Sequence, residues 1–163
     1  MTPPTAAPAM KIGYIAGTFD PFGIAHVNLL REARAQCDRL VVGVTSDGLA
    51  SYRRLPVPNP FQMRREMVQA CRHVDAVAAQ ETADEFAAWE EVRFDVLFVG
   101  GEWFRNPRWR QIERRLSAVG VTVVCFPGAA TVGSAPIIDA PSAGRAGGDW
   151  RDLWAGDRPR RAA

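Results

Sequence analysis

Five short apolar runs punctuate the chain: "KIGYIAGTF" from Lys11, "RLVVGVTSD" at 39–47, "DAVAAQE" at 75–81, "FDVLFVGGE" at 94–102 and "VTVVCFP" at 121–127. Their apolar positions follow one another almost without alternation, which is how strands of a parallel sheet read when both faces are covered. Between them lie helical patterns over 26–36, 60–72, 83–91 and 107–119. Pro60 and Pro107 suit a first helical turn, where a missing N–H costs little. The regular β-α order predicts an α/β protein: a Rossmann-like doubly wound sheet of about five mainly parallel strands with helices on both faces. Ligands of such sheets bind beyond the carboxyl ends of the strands. The stretches "GTFD", "TSDG", "GGEW" and "PGAATVGSA" all follow strands and are expected at that edge.

The chain has 163 residues, the length of one domain. Residues 1–10 are rich in Pro, Thr and Ala and bury little, so they are expected to be disordered. The patterned domain covers 11–138, and 139–163 reads as a linker-like tail leading to a fused C-terminal domain. Trp150 and Trp154, four apart in that tail, suit either a single amphipathic turn or a frayed end. A net charge of +2 gives no basic stripe for nucleic acid or a membrane surface. No apolar run approaches the roughly 20 residues that span a bilayer, and "MTPPTAAPAM" has no signal-peptide organisation. Cys37, Cys71 and Cys125 are odd in number and lack a C-x-x-C pair, which argues for reduced thiols against a disulfide framework or a zinc site. The expectation is a cytoplasmic protein with no nucleic-acid or membrane partner; a homodimer is compatible with it. Nineteen of the twenty basic residues are arginine. Codon usage and forked phosphate recognition both account for that.

The most specific stretch is "GTFDPFGIAHVNLL", residues 17–30, where a strand turns at once into a helix. Backbone N–H groups and the positive end of a helix dipole then face any bound anion. The stretch resembles the GTFD-x-x-H-x-G-H signature of the cytidylyltransferase family within the HIGH-type nucleotidyltransferases, which includes the glycerol-3-phosphate and choline-phosphate cytidylyltransferases. "NPFQMRREMVQACRHVDAV" (59–77) is similar to the family's helix with a catalytic arginine, which falls on Arg64. "FDVLFVGGEW" is similar to the strand ending in G-D-D-W, with Glu102 and Trp103 on the acidic and tryptophan positions. Arg53 and Arg54 stand for the basic pair before the arginine helix. Three positions depart from the pattern. Gly23 replaces the first histidine, Ala25 the signature glycine, and Gly128 the arginine of the R-T-x-G-I-S-T-T segment, in which Ser134 is the obvious remaining hydroxyl.

The resemblance implies CMP transfer from CTP, accompanied by Mg²⁺, to a small phosphorylated or phosphonylated alcohol such as glycerol 3-phosphate or 2-hydroxyethylphosphonate. His26 and Arg64 would be catalytic, stabilising the triphosphate. Gly17, Thr18, Phe19 and Asp20 would cradle it, with Gly23, Ala25, Arg53, Glu102, Trp103 and Ser134 completing nucleotide binding. No acidic cage for a resident metal is visible, so Mg²⁺ would arrive with CTP. An ionised acceptor oxygen needs no general base; the site must align two polyanions and stabilise the departing pyrophosphate. Losing one oriented donor costs about 10²–10³ in rate, so Gly23 alone would slow such a site without abolishing it. Two alternatives stay open: a nucleotide-binding module with weakened turnover, motivated by Gly23, Ala25 and Gly128, and an adenylyltransferase of the same fold. Each residue also has a plainer reading: His26 as a helix N-terminal histidine, Asp20 as a turn cap, Arg64 beside Arg65 as a solvated pair, Trp103 as packing, Glu102 as a loop acid, Ser134 as linker. His73 reads as structural.

Overall fold

The structure, a computed structural model, describes residues 9–126. Five strands, β1 (Ile12–Gly17), β2 (Arg39–Thr45), β3 (Ala76–Gln80), β4 (Val96–Gly100) and β5 (Thr122–Phe126), form one parallel sheet in the order β3-β2-β1-β4-β5. The helices are α1 (Ile24–Ala35), α2 (Asp47–Tyr52), α3 (Phe61–Gln69), α4 (Glu85–Val92) and α5 (Trp109–Ala118), with a 3-10 turn over Gly101–Arg105. The expected Rossmann-like architecture is present, and so are all five predicted strands. The short helix α2 was not anticipated: six residues carry too little periodicity to read, although Ser46 caps it by accepting from the Leu49 N–H.

Near-continuous hydrophobicity has the physical origin expected of it, because the strands feed two cores. Ile15, Val42, Val44 and Phe98 point to one face, where Leu29, Leu30 and Ala33 of α1 and Val68 of α3 cover them. Tyr14, Val41 and Leu97 point to the other, against Val92 of α4 and Ile112 and Leu116 of α5. Tyr14 fits only because residue 43 is glycine: a Cβ there would collide with the phenol oxygen.

The amino edge of the sheet is fastened by three aspartates placed just before β2, β3 and β4. Asp38 accepts from the Lys11 N–H (2.7 Å), Asp75 from Leu40 (2.8 Å) and Asp95 from Ile12 (2.9 Å). Each carboxylate holds the start of the neighbouring strand and so helps fix its register. At the opposite edge, β1 leads towards β2 on one side while β4 lies on the other, so the strand order reverses between the carboxyl ends of β1 and β4. That reversal opens the crevice in which doubly wound sheets take their ligands.

Candidate functional site at the carboxyl ends of β1 and β2

Gly17 ends β1, and the chain turns through Thr18 and Phe19 into the loop before α1. Phe19 holds a left-handed backbone (φ 52°) with its ring 1% exposed. A non-glycine residue adopts that conformation only where its surroundings hold it. Here the ring is locked among Ile15, Leu29 and Leu30, and it meets His26 at 5.4 Å between centroids. Phe22 stacks nearly parallel on the imidazole at 5.7 Å and lies 6.3 Å from Phe19, so the three rings form one cluster. The His26 Nδ1 accepts from the Gly23 N–H at 3.3 Å, so in the neutral ring the proton sits on Nε2 and that nitrogen is the donor. His26 is therefore oriented by two phenylalanine rings and by the N-cap of its own helix.

Gly23 is that N-cap, in extended backbone, and a Cβ built on it would meet nothing within 4 Å. Ala25 is exposed, as is Ile24 beside it at 74%. Gly17, Thr18, Phe19, Asp20, Gly23, Ala25 and His26 thus share one strand-turn-helix unit at the carboxyl edge.

Asp20 is a brace. Its carboxylate accepts from the Asn59 backbone N–H (2.8 Å) and from Asn59 Nδ2 (2.6 Å), tying the turn to the segment that opens α3. Arg64 departs furthest from expectation. Instead of forming a solvated pair with Arg65, or reaching out towards a phosphate, it is completely buried. Its Nε donates to the Asn59 carbonyl (2.9 Å), Nη1 to the carbonyls of Thr18 (3.1 Å) and Thr45 (2.7 Å), and Nη2 to Asp47 Oδ1 (2.9 Å). Four of its five N–H groups are thus spent on the protein. The plainer expectation, a solvated Arg64–Arg65 pair, is corrected on that ground.

Trp103, at 6% exposure, packs in the core with Ile112 and Leu116. Phe104 next to it is the exposed ring, edge-on to Trp109 at 5.1 Å. The backbone of Glu102 lies in the 3-10 turn on the β4 side of the crevice. Arg53 is buried at the end of α2, on the β2 flank, electrostatically coupled to Glu85 at the start of α4. Burial pulls the guanidinium down from its ordinary value, and it pushes the Glu85 carboxyl up to about 8. Ser134 and Gly128 lie outside the described residues. Asn59, Asp47, Phe22 and Glu85 were missed from sequence; the "NP" before α3 and the "SD" opening α2 are the only traces of the first two.

A left-handed turn at a strand end, an oriented imidazole at the following helix start and a strand-order reversal beside them define a nucleotide-handling α/β domain. The chain belongs to the cytidylyltransferase-like family, whose profile matches residues 14–150. It is similar to the bifunctional protein HldE of Hyphomonas neptunium, 38% identical over 104 residues, covering 61% of this chain and 21% of that protein. The bifunctional protein HldE of Mesorhizobium japonicum is 39% identical over 98 residues, covering 58% and 19%. The chain thus spans about one fifth of the length of these curated relatives. Among solved structures, the lipopolysaccharide core biosynthesis protein of Thermoplasma volcanium shares the fold with TM-score 0.61 and 22% identity, over 71% of this chain and 93% of that one. The pantoate-β-alanine ligase of Francisella tularensis, complexed with β-γ ATP and β-alanine, does so with TM-score 0.53 and 12% identity, over 74% and 60%. The fold is that of the nucleotidyltransferases.

Proposed function

We propose that this domain transfers a nucleoside monophosphate from a nucleoside triphosphate to the phosphate or phosphonate oxygen of a small alcohol. The observation that carries the reading is the Gly17–Asp20 turn running into α1 with His26 held as a donor at its N-terminus. In this reading the ionised acceptor oxygen attacks the α-phosphorus, the bond to the bridging oxygen breaks, and pyrophosphate leaves with the electron pair. The turn and the start of α1 offer N–H groups to the triphosphate, and His26 Nε2 adds a hydrogen bond as charge develops on the leaving group. No side chain needs to remove a proton.

Among the described residues no group of three or more His, Cys, Asp or Glu side chains is placed to hold a metal ion. The two carboxylates nearest the turn, Asp20 and Asp47, are occupied by Asn59, Phe61 and Arg64. In this reading Mg²⁺ arrives as the complex of the triphosphate, and the described residues add no acidic cage of their own.

CTP is the nucleotide of the leading reading, in keeping with the family. ATP is the second reading, favoured by the ATP-complexed fold neighbour. Acceptors of the expected class are glycerol 3-phosphate and 2-hydroxyethylphosphonate. A nucleotide binder with weakened turnover is the reading that open, exposed Gly23 and Ala25 support. One experiment separates all three: CTP or ATP with Mg²⁺ and a panel of phosphorylated and phosphonylated alcohols, read by mass of the nucleotidyl adduct. An adduct with CTP alone supports the first reading and one with ATP alone the second. Binding without any adduct leaves the third.

A further inference from the structure

Arg64 is the largest fully buried side chain among the described residues, yet it is a cation. Burying a guanidinium is costly unless directional partners replace its water. Its four partners come from four different segments: Thr18 after β1, Thr45 at the end of β2, Asn59 before α3 and Asp47 at the start of α2. Two carboxylates complete the frame. Asp20 holds both the N–H and the side-chain amide of Asn59, while Asp47 accepts from the Phe61 N–H as well as from Arg64. The Thr18 carbonyl directly precedes Phe19, whose left-handed backbone sets the ring against His26.

We propose that Arg64 is a positioning residue: through the Thr18 carbonyl it fixes the Thr18–Phe19 turn, and through Phe19 the His26 imidazole, without touching the nucleotide. This rests on the reading of His26 as the donor to the triphosphate. A lysine keeps the charge but has one donor centre, which cannot meet four acceptors arranged around a planar fork. A direct phosphate contact would tolerate that change as a point charge; a brace built on geometry does not.

The test is imidazole proton NMR of the nucleotide-free protein, combined with kinetics. Only two histidines contribute signals, His26 and His73, and His26 is clustered with two aromatic rings whose currents displace its resonances. In Arg64→Lys the His26 signals are expected to move towards those of an exposed histidine while His73 stays put. With the acceptor that the adduct screen identifies, kcat falls about 10²-fold, the typical consequence of a misplacement near 1 Å, with KM for the triphosphate changed far less. Should Arg64→Lys fail to fold, Asp47→Ala gives the same displacement to a smaller degree, since that side chain is 59% exposed and its loss removes one partner of the fork. Unmoved His26 signals with a raised KM would make Arg64 a nucleotide contact. A lowered melting temperature with unmoved signals and unchanged kcat would make it a purely structural cation. Either outcome overturns the proposal. Because the spectrum is taken without substrate, displaced His26 signals without turnover on any acceptor would reject the function and retain the brace.

Discussion

In the proposed reaction the His26 ring acts as a single oriented donor, and its removal isolates that contribution. His26→Ala is expected to lower kcat about 10²–10³-fold, the range for one preorganised hydrogen-bond donor, while thermal melting shows the fold intact. Gly23 offers the reverse experiment. A Cβ there meets open space and the backbone is extended, so Gly23→His should fold with stability within about 0.5 kcal/mol of the parent. If the proposed reaction is right, the added imidazole raises kcat; a steady-state comparison on the best acceptor reads this directly. Glu85 sets a third residue-scale expectation. Burial holds its proton up to about pH 8, whereas the unfolded chain releases it near 4.5. The folded state therefore binds more protons across that interval, and this group's contribution to stability falls as pH rises from about 4.5 to 8, then levels off. Glu85→Gln should match the parent near pH 4.5 and melt higher at pH 8; equal melting curves at both pH values would remove the claim.

At the scale of elements, the sheet is held differently at its two edges. The amino edge is fastened by Asp38, Asp75 and Asp95 to backbone N–H groups. Asp75 also meets the Arg34 Nε at 2.8 Å, so Asp75→Ala removes a backbone clamp and an ion pair together. The expected loss is about 1–3 kcal/mol by denaturant titration, as for a hydrogen bond to a charged group. In the strands, Gly43→Ala drives a methyl group into the Tyr14 phenol, and the overpacking should cost about 1–3 kcal/mol. The strands and four of the helices were legible because covered parallel strands and amphipathic helices leave period in the sequence. α2 was not, because six residues make less than two turns.

Over the whole molecule, the strand-order reversal between β1 and β4 sets the crevice against which the site is judged. The His26 side of that site was readable, since strand, turn and helix start are contiguous along the chain. The Arg64 side was not. Its partners Thr18 and Thr45 lie 46 and 19 residues away. No local pattern distinguishes an arginine that meets phosphate from one that meets carbonyls. Trp103 shows the same ambiguity, because an indole suits both a core and a base pocket; in the structure it packs in the core.

What the sequence determined by itself was whatever short-range physics encodes: β-α alternation, the double-sided strands, the glycine-led turn into α1 and the family to which these belong. Tertiary structure decided the roles of side chains whose partners are distant. It turned Arg64 and Asp20 inward as braces, left Gly23 open to space and made Glu85 a proton-holding acid. The reason is that burial and hydrogen-bond partnership depend on which segments meet, and segments meet only once the whole sheet has formed.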